Sequence, residues 1–417
     1  MSASRSRWTW WLIRLSRRIW FRAAVFALLG IGSALLAVVL APFLPNDLSN
    51  NLGADSVGNI LEILASSMLI VATFSLQTMT SAYAAASSST TPRVTELLLQ
   101  DSTAHNALST FVGGFLFALA GIVGLSSGIY GDNGHLVLFV LTLVVIAIIV
   151  VTFLTWVEAL SHFGRVPDAI NRTANAAAYA MRERLREPFL GGRPEAEAEA
   201  DGVEVLSPRM GYVRNIDMRA LQLVAEKIDG QVIIAASPGT FLDGGPVARI
   251  SGDDGEAVRE AICAAFDVGD TRTFDQDPNY GISALAEIGV KALSPAISDP
   301  KTAQRVIDRL INVLVLCANS PTTDPPRCDR VFVPPLDLDE LYADAFAELA
   351  LYGASDVLIG VRLQQAFRTL CRTGDAAHAR AAREQSRLAL ERARHALSLE
   401  ADVQRLEALA EQVQADS

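Results

Sequence analysis

Glu62, Ser66, Thr73, Gln77, Thr80 and Ser81 are the residues of this chain whose types and spacing best suit chemistry. At about 100° per helical residue they share one face, and Leu61, Leu64, Met68, Val71, Ala72 and Met79 take the other. Hydroxyls, a carboxamide and a carboxylate in a row could line a path for an ion or polar solute, with Glu62 drawing cations at one mouth. The plain alternative is that Ser and Thr bond their own helix's carbonyls while Gln77 bonds a neighbouring helix. Ile70 on the same face is either a constriction or a sign that the path is dry. The row contains no Arg, Lys or Asp, so a proton relay through the membrane centre has little support.

The helix that must carry this row lies within residues 57–88, long enough to cross a bilayer. Apolar runs recur near 23–44, 58–82, 107–130 and 135–159, predicting four transmembrane helices over 23–163. The chain has 417 residues and a mean hydropathy of +0.29, as expected for a membrane domain joined to a soluble part. Residues 1–164 hold seven basic and seven acidic side chains; residues 165–417 hold 28 and 39 and carry the whole net charge of −11. So acidic a soluble half does not invite nucleic acid.

Arginine placement predicts orientation. Arg5, Arg7, Arg14, Arg17, Arg18 and Arg22 precede the first span, and Arg165, Arg172, Arg182, Arg184 and Arg186 follow the fourth. Arg93 lies between spans two and three, while the other two loops have no basic residue, the short turn 131–134 among them. Both termini are expected in the cytoplasm of a bacterium, with the spans in the inner membrane. Ser16-Arg17-Arg18-Ile19-Trp20-Phe21 superficially resembles a twin-arginine export signal. Its apolar run exceeds the 7–15 residues typical of one, and three more spans follow. Trp8, Trp10, Trp11 and Trp20 among arginines make residues 1–22 an interfacial segment.

The third span is rich in glycine: Gly113, Gly114, Gly121, Gly124 and Gly128, the last two forming G-x-x-x-G. Small residues at this spacing allow close helix packing, within one subunit or between subunits. After the second span, Ala82–Thr91 is almost all Ala, Ser and Thr; it extends the helix until Pro92 ends it or restarts it at Val94–Leu99.

The remainder reads as a cytoplasmic α+β domain. A connecting helix and acidic linker occupy 164–200, a β-rich module 201–252, a helical hairpin region 253–319 and a helical C-terminal part 320–417. In the module, Val203–Leu206, Gly211–Ile216, Gln231–Ala235 and Val247–Ile250 are predicted strands and Arg219–Ile228 a helix. Its Gly-Tyr-Val and Pro-Gly-x-Phe-x-x-Gly-Gly pattern resembles the barrel-sandwich hybrids that present a modified lysine. Lys227, the only lysine before Lys291, falls in the predicted helix, so the module reads as a scaffold. Asp277-Pro278 and Asp299-Pro300 each start a helix, with Asp as cap and Pro at the first turn. Asp270, Asp275, Asp277 and Asp299 could gather a divalent cation; capping accounts for two of them, and no metal site is assigned. Leu399, Val403, Leu406, Ala410 and Val413 mark a last helix that docks on those before it. Four scattered cysteines predict neither a disulfide framework nor a zinc site.

Residues 20–320 resemble the bacterial membrane proteins grouped as domain of unknown function 2254. The likeness rests on the spans, Ser87–Arg93 with Pro92 and Arg93, Gly211-Tyr212-Val213, Pro238-Gly239, Asp277-Pro278-x-x-Gly281, and Ala292–Ala303 with Ser294, Pro295, Asp299 and Pro300. At Ser298 the family pattern is expected to carry Asn. The resemblance implies a multi-spanning membrane protein with a cytoplasmic domain, and it brings no reaction, cofactor or catalytic residue.

No nucleophile–base pair, phosphate-cradling loop or metal cluster is readable, which disfavours an enzyme. Two readings remain: a self-associating channel or transport protein lined by span two, and a membrane-anchored scaffold or sensor whose acidic domain binds a protein partner.

Overall fold

The structure, a computed structural model, describes residues 24, 25, 28, 32, 54–89, 91–99, 102–127, 131–162, 165–198, 202–252, 254–318 and 325–415. The expected Trp-rich segment and most of the expected first span therefore lie outside the described residues. The chain divides into two compact units, one of residues 1–88 with 95–168 and one of residues 89–94 with 169–417.

The first unit is helical: α1 (Ala54–Ser89), the last part of α2 (Pro92–Leu99), α3 (Ser102–Ser126) and α4 (Gly131–His162). Three stretches are long and apolar enough to cross a membrane: Ser56–Ala85, Thr103–Ser126 and Leu136–Leu160. Each coincides with an expected span. Residues 131–134, expected as a turn, already belong to α4. Pro92 opens α2, which suits its fixed φ and missing N–H. The unit's core joins Leu61, Leu64, Met68 and Ala72 of α1, Phe111 and Phe117 of α3, and Leu138, Val145 and Ile149 of α4.

After residues 89–94, the second unit takes up most of α5 (Val166–Arg186) and then carries the β module. The strands are β1 (Arg193–Pro194), β2 (Val203–Leu206), β3 (Gly211–Ile216), β4 (Gln231–Ile234), β5 (Phe241–Leu242), β6 (Pro246–Ser251), β7 (Phe266–Gly269) and β8 (Val331–Val333). Between them lie α6 (Met218–Lys227) and α7 (Glu256–Ala264). One sheet is mixed, ordered β1-β8-β4-β6-β2, and the other is antiparallel, β5-β3-β7. Val232 pairs with Val331 in parallel and with Ile250 antiparallel, so β4 is buried between two neighbours. That explains its unbroken run of Val and Ile. Val213, Leu221, Val232, Ile250 and Ile262 are the centre of this core.

The remaining helices are α8 (Pro278–Leu293), α9 (Pro300–Ala318), α10 (Leu338–Tyr352), α11 (Val357–Thr373), α12 (Ala376–Ala396) and α13 (Glu400–Ala415). Tyr342, Phe346 and Phe367 are fully buried among them, with the two phenylalanine rings edge to face at 5.0 Å. Leu406, Ala410 and Val413 of α13 are buried, and Leu406 sits where a Cβ on Gly360 would meet it at 2.8 Å. The last helix is docked by the C-terminal part of its expected stripe; Val403 is half-buried, and Leu399 is exposed and precedes the helix.

Candidate functional site

The row on α1 is one face of a real helix. Leu61, Leu64, Met68, Ala72 and Met79 are buried; Glu62, Ser66, Thr73, Gln77, Thr80 and Ser81 are all exposed on the isolated chain. From Glu62 to Ser81 the rise is about 28 Å, close to the thickness of a bilayer's hydrocarbon. Leu69 and Leu76 border the row on one side, and Ile63, Ile70 and Phe74 on the other, all exposed. The polar groups thus form a narrow band inside an apolar surface.

Their hydrogen bonding separates two kinds of residue. Ser66 Oγ donates to the Glu62 carbonyl at 2.9 Å, Thr73 Oγ1 to Leu69 at 2.8 Å and Thr80 Oγ1 to Gln77 at 2.8 Å. These hydroxyls tolerate an apolar setting, because their donors are spent on the preceding turn. The Gln77 carboxamide, the Glu62 carboxylate and the Ser81 hydroxyl have no such bond among the described residues. They are the three groups of the row that need water or a partner beyond the described residues.

The glycines of α3 pack within the unit. A Cβ on Gly114 would stand 2.7 Å from Ile149 Cδ1 of α4, and one on Gly121 would stand 2.9 Å from Leu61 Cδ1 of α1. Gly113 and Gly124 are buried as well; Gly128 lies outside the described residues. At Gly114 and Gly121, at least, the small residues serve helix approach inside one chain.

In the second unit, four motif segments that are distant in sequence meet. Asp277 caps α8, its Oδ1 accepting from Tyr280 N at 3.0 Å. It is buried and bound at both oxygens by Arg272, whose Nε and Nη2 donate at 2.7 and 2.9 Å. Burial opposes the Arg272 charge, but Asp277, with Asp344 and Glu340 nearby, more than offsets it and raises its pKa. Gly239 turns against this pair with φ +94°, and its N–H donates to the Val213 carbonyl at 2.8 Å. The Arg272 guanidinium lies 5.4 Å from the Tyr280 ring centre, and that of Arg93 lies 5.5 Å from it. Arg93 then bonds Glu287 at 2.7 Å. Sequence reasoning missed Arg272, Tyr280 and Glu287. The local signal for Arg272 was an arginine near two aspartates, which leaves its partner undecided.

The other motif residues have structural roles. Asp299 caps α9, accepting from Thr302 N at 3.1 Å and Thr302 Oγ1 at 2.7 Å; the Thr302 side-chain bond lowers its pKa. Ser294 and Pro295 end α8, Ser294 Oγ donating to the Lys291 carbonyl at 2.7 Å. Gly281 lets α8 approach α5, since a Cβ there would stand 2.7 Å from Ala177 Cα. Pro278 and Pro300 open α8 and α9. Among the described residues, no group of three His, Cys, Asp or Glu is placed to hold a metal ion.

The family described as Predicted membrane protein (DUF2254) matches residues 16–369, and the chain belongs to it. Uncharacterized proteins of Mycobacterium bovis and Mycobacterium tuberculosis are 27% identical over 138 residues. That stretch is 31% of this chain and 26% of each relative, so the match spans about a quarter of the relatives' length. No solved structure matches the chain.

Proposed function

We propose that this family member is a self-associating channel or transport protein of the bacterial inner membrane, with α1 lining the path. Gln77 carries the reading: an exposed carboxamide without a hydrogen-bond partner among the described residues, in the C-terminal third of the candidate span Ser56–Ala85 and bordered by lipid-compatible Leu, Ile and Phe. Facing lipid, it would cost free energy. Facing an axis shared by several copies, with the apolar borders against neighbouring copies, it would be hydrated at no such cost. Glu62 is then the outer charge that draws cations.

The topology that goes with this reading has a fourth span at 23–44 and both termini in the cytoplasm, supported by the arginine distribution. The second unit is a gate or vestibule, and its β module, with the barrel-sandwich-like glycine and proline pattern, is a scaffold. No enzymatic step is assigned to it. Purified protein in liposomes is expected to pass ions above the level of empty vesicles. Gln77→Leu should change conductance while leaving the assembly's size intact. Ion flux equal to that of empty vesicles across salts and voltages would sink the channel form, and a solute-flux assay would then decide transport.

The second reading, a membrane-anchored scaffold or sensor whose acidic domain binds a protein partner, draws on the self-satisfied hydroxyls of Ser66, Thr73 and Thr80. A single dominant cross-linked partner in cells, unchanged by Gln77→Leu, would favour it.

A further inference from the structure

Arg184, in the last turn of α5, is 7% exposed. Its Nη2 donates to the Pro334 carbonyl at 3.3 Å, a long bond, and its Nε has no partner. Burial alone lowers its pKa to about 10, with no carboxylate close enough to contribute. It therefore remains a cation at neutral pH. The other guanidiniums of this region, Arg272 and Arg93, each hold a carboxylate. Among the described residues, this buried guanidinium with five donors has one long hydrogen bond and no carboxylate in ion-pair contact.

That side chain lines a cleft of about 480 Å³, within the usual range for small-molecule sites. The Pro238-Gly239 turn and the start of α8 also line it, and there Asn279 has a buried amide oxygen without a hydrogen-bond partner among the described residues. Asp337 and Glu340 also line it, Asp337 as the cap of α10. Arg272 is spent on Asp277. Among the described residues, the cleft thus offers one unpaired cation, one unpaired acceptor and an acidic border.

We propose that this cleft binds a small monocarboxylate carrying its own hydrogen-bond donor, an α-amino or α-hydroxy acid, with the carboxylate on Arg184 and the donor directed to Asn279. A bidentate carboxylate matches the guanidinium fork. The acidic border disfavours a phosphate, whose second charge Asp337 and Glu340 would repel, and favours an ammonium or hydroxyl beside the carboxylate. The site lies wholly in the second unit and stands apart from the conduction reading.

The test is titration calorimetry and thermal shift on the full chain in detergent, with the standard amino acids, L-lactate, acetate and inorganic phosphate added singly. At least one amino acid or lactate is expected to bind saturably, with acetate and phosphate weaker by about tenfold or more. Arg184→Gln should abolish binding. Because that variant removes a buried group from the fold, Asn279→Leu and the border variant Glu340→Gln supply independent checks. The first should weaken binding by about tenfold, and the second should narrow the margin over phosphate. No saturable binding by the wild-type chain, binding that survives Asn279→Leu unchanged, or phosphate or acetate binding as tightly as the best acid would each overturn the proposal. Loss of binding with conductance unchanged would leave the channel reading standing, since the two measurements fail separately.

Discussion

Gly239 and Asp277 are held so close that a Cβ on the glycine would stand 2.5 Å from Asp277 Oδ2 and 2.9 Å from Arg272 Nη2. The glycine is required twice, by its φ of +94° and by the space that the ion pair occupies. Gly239→Ala is expected to lower stability by about 1–3 kcal/mol through backbone strain and displacement of the pair. Denaturant unfolding of the full chain in detergent would read it; an unchanged midpoint would mean that the turn and the Arg272–Asp277 pair are not coupled.

Gly281 makes a comparable demand between helices. The nearest atoms to an added Cβ are Cα and Cβ of Ala177, both at 2.7 Å, and a helix backbone cannot yield as a flexible side chain does. Gly281→Ala should cost about 1–3 kcal/mol by forcing α5 and α8 apart. The Arg309–Asn171 hydrogen bond, 2.8 Å between α9 and α5, should weaken with it. A lowered melting temperature with faster hydrogen exchange along α5 is the expected result.

Ser298 has φ +49°, a left-handed conformation that Asn adopts more readily than Ser. This accounts for the Asn expected there from the family pattern. The substitution Ser298→Asn should stabilise the second unit by about 0.5–1 kcal/mol, seen as a raised melting temperature with Asp299 still capping α9.

Asp344 adds a pH dependence. Burial, opposed by Arg272 and assisted by Glu340, raises its carboxyl from 3.8 to about 6. Between those values the folded chain holds a proton that the unfolded chain has released. Its contribution to stability therefore falls as pH rises through that window and is fully lost above it. With the carboxylate partly screened by solvent, the effect is on the order of 1 kcal/mol. Asp344→Asn should flatten the stability difference between pH 4 and pH 7. A wild-type minus variant difference that is constant with pH would contradict this assignment.

The sequence alone determined the elements whose causes are local. Four strands of the β module, the Asp-Pro helix starts, three of the spans and the amphipathic split of α1 follow from periodicity, caps and hydropathy, which act over a few residues. The structure placed the boundaries of these elements within a few residues of expectation, apart from the turn at 131–134. It also added β1, β5, β7 and β8; β8, between prolines at 326 and 334, owes its strand identity to pairing in parallel with β4. What only the tertiary structure decided were partnerships. Asp277 reads as a helix cap from its neighbours, yet its second role depends on Arg272, and Gly239 matters because of both. Arg93 gains meaning from Tyr280 and Glu287, and Arg184 from having no ion-pair partner among the described residues although Asp337 and Glu340 border its cleft. Burial and ion pairing between distant segments depend on how the chain folds back on itself, and local spacing carries no record of that. For the row on α1 the division is the same: its polarity is written in the sequence, while the exposure of Gln77 and the self-bonding of Ser66, Thr73 and Thr80 required the packed unit.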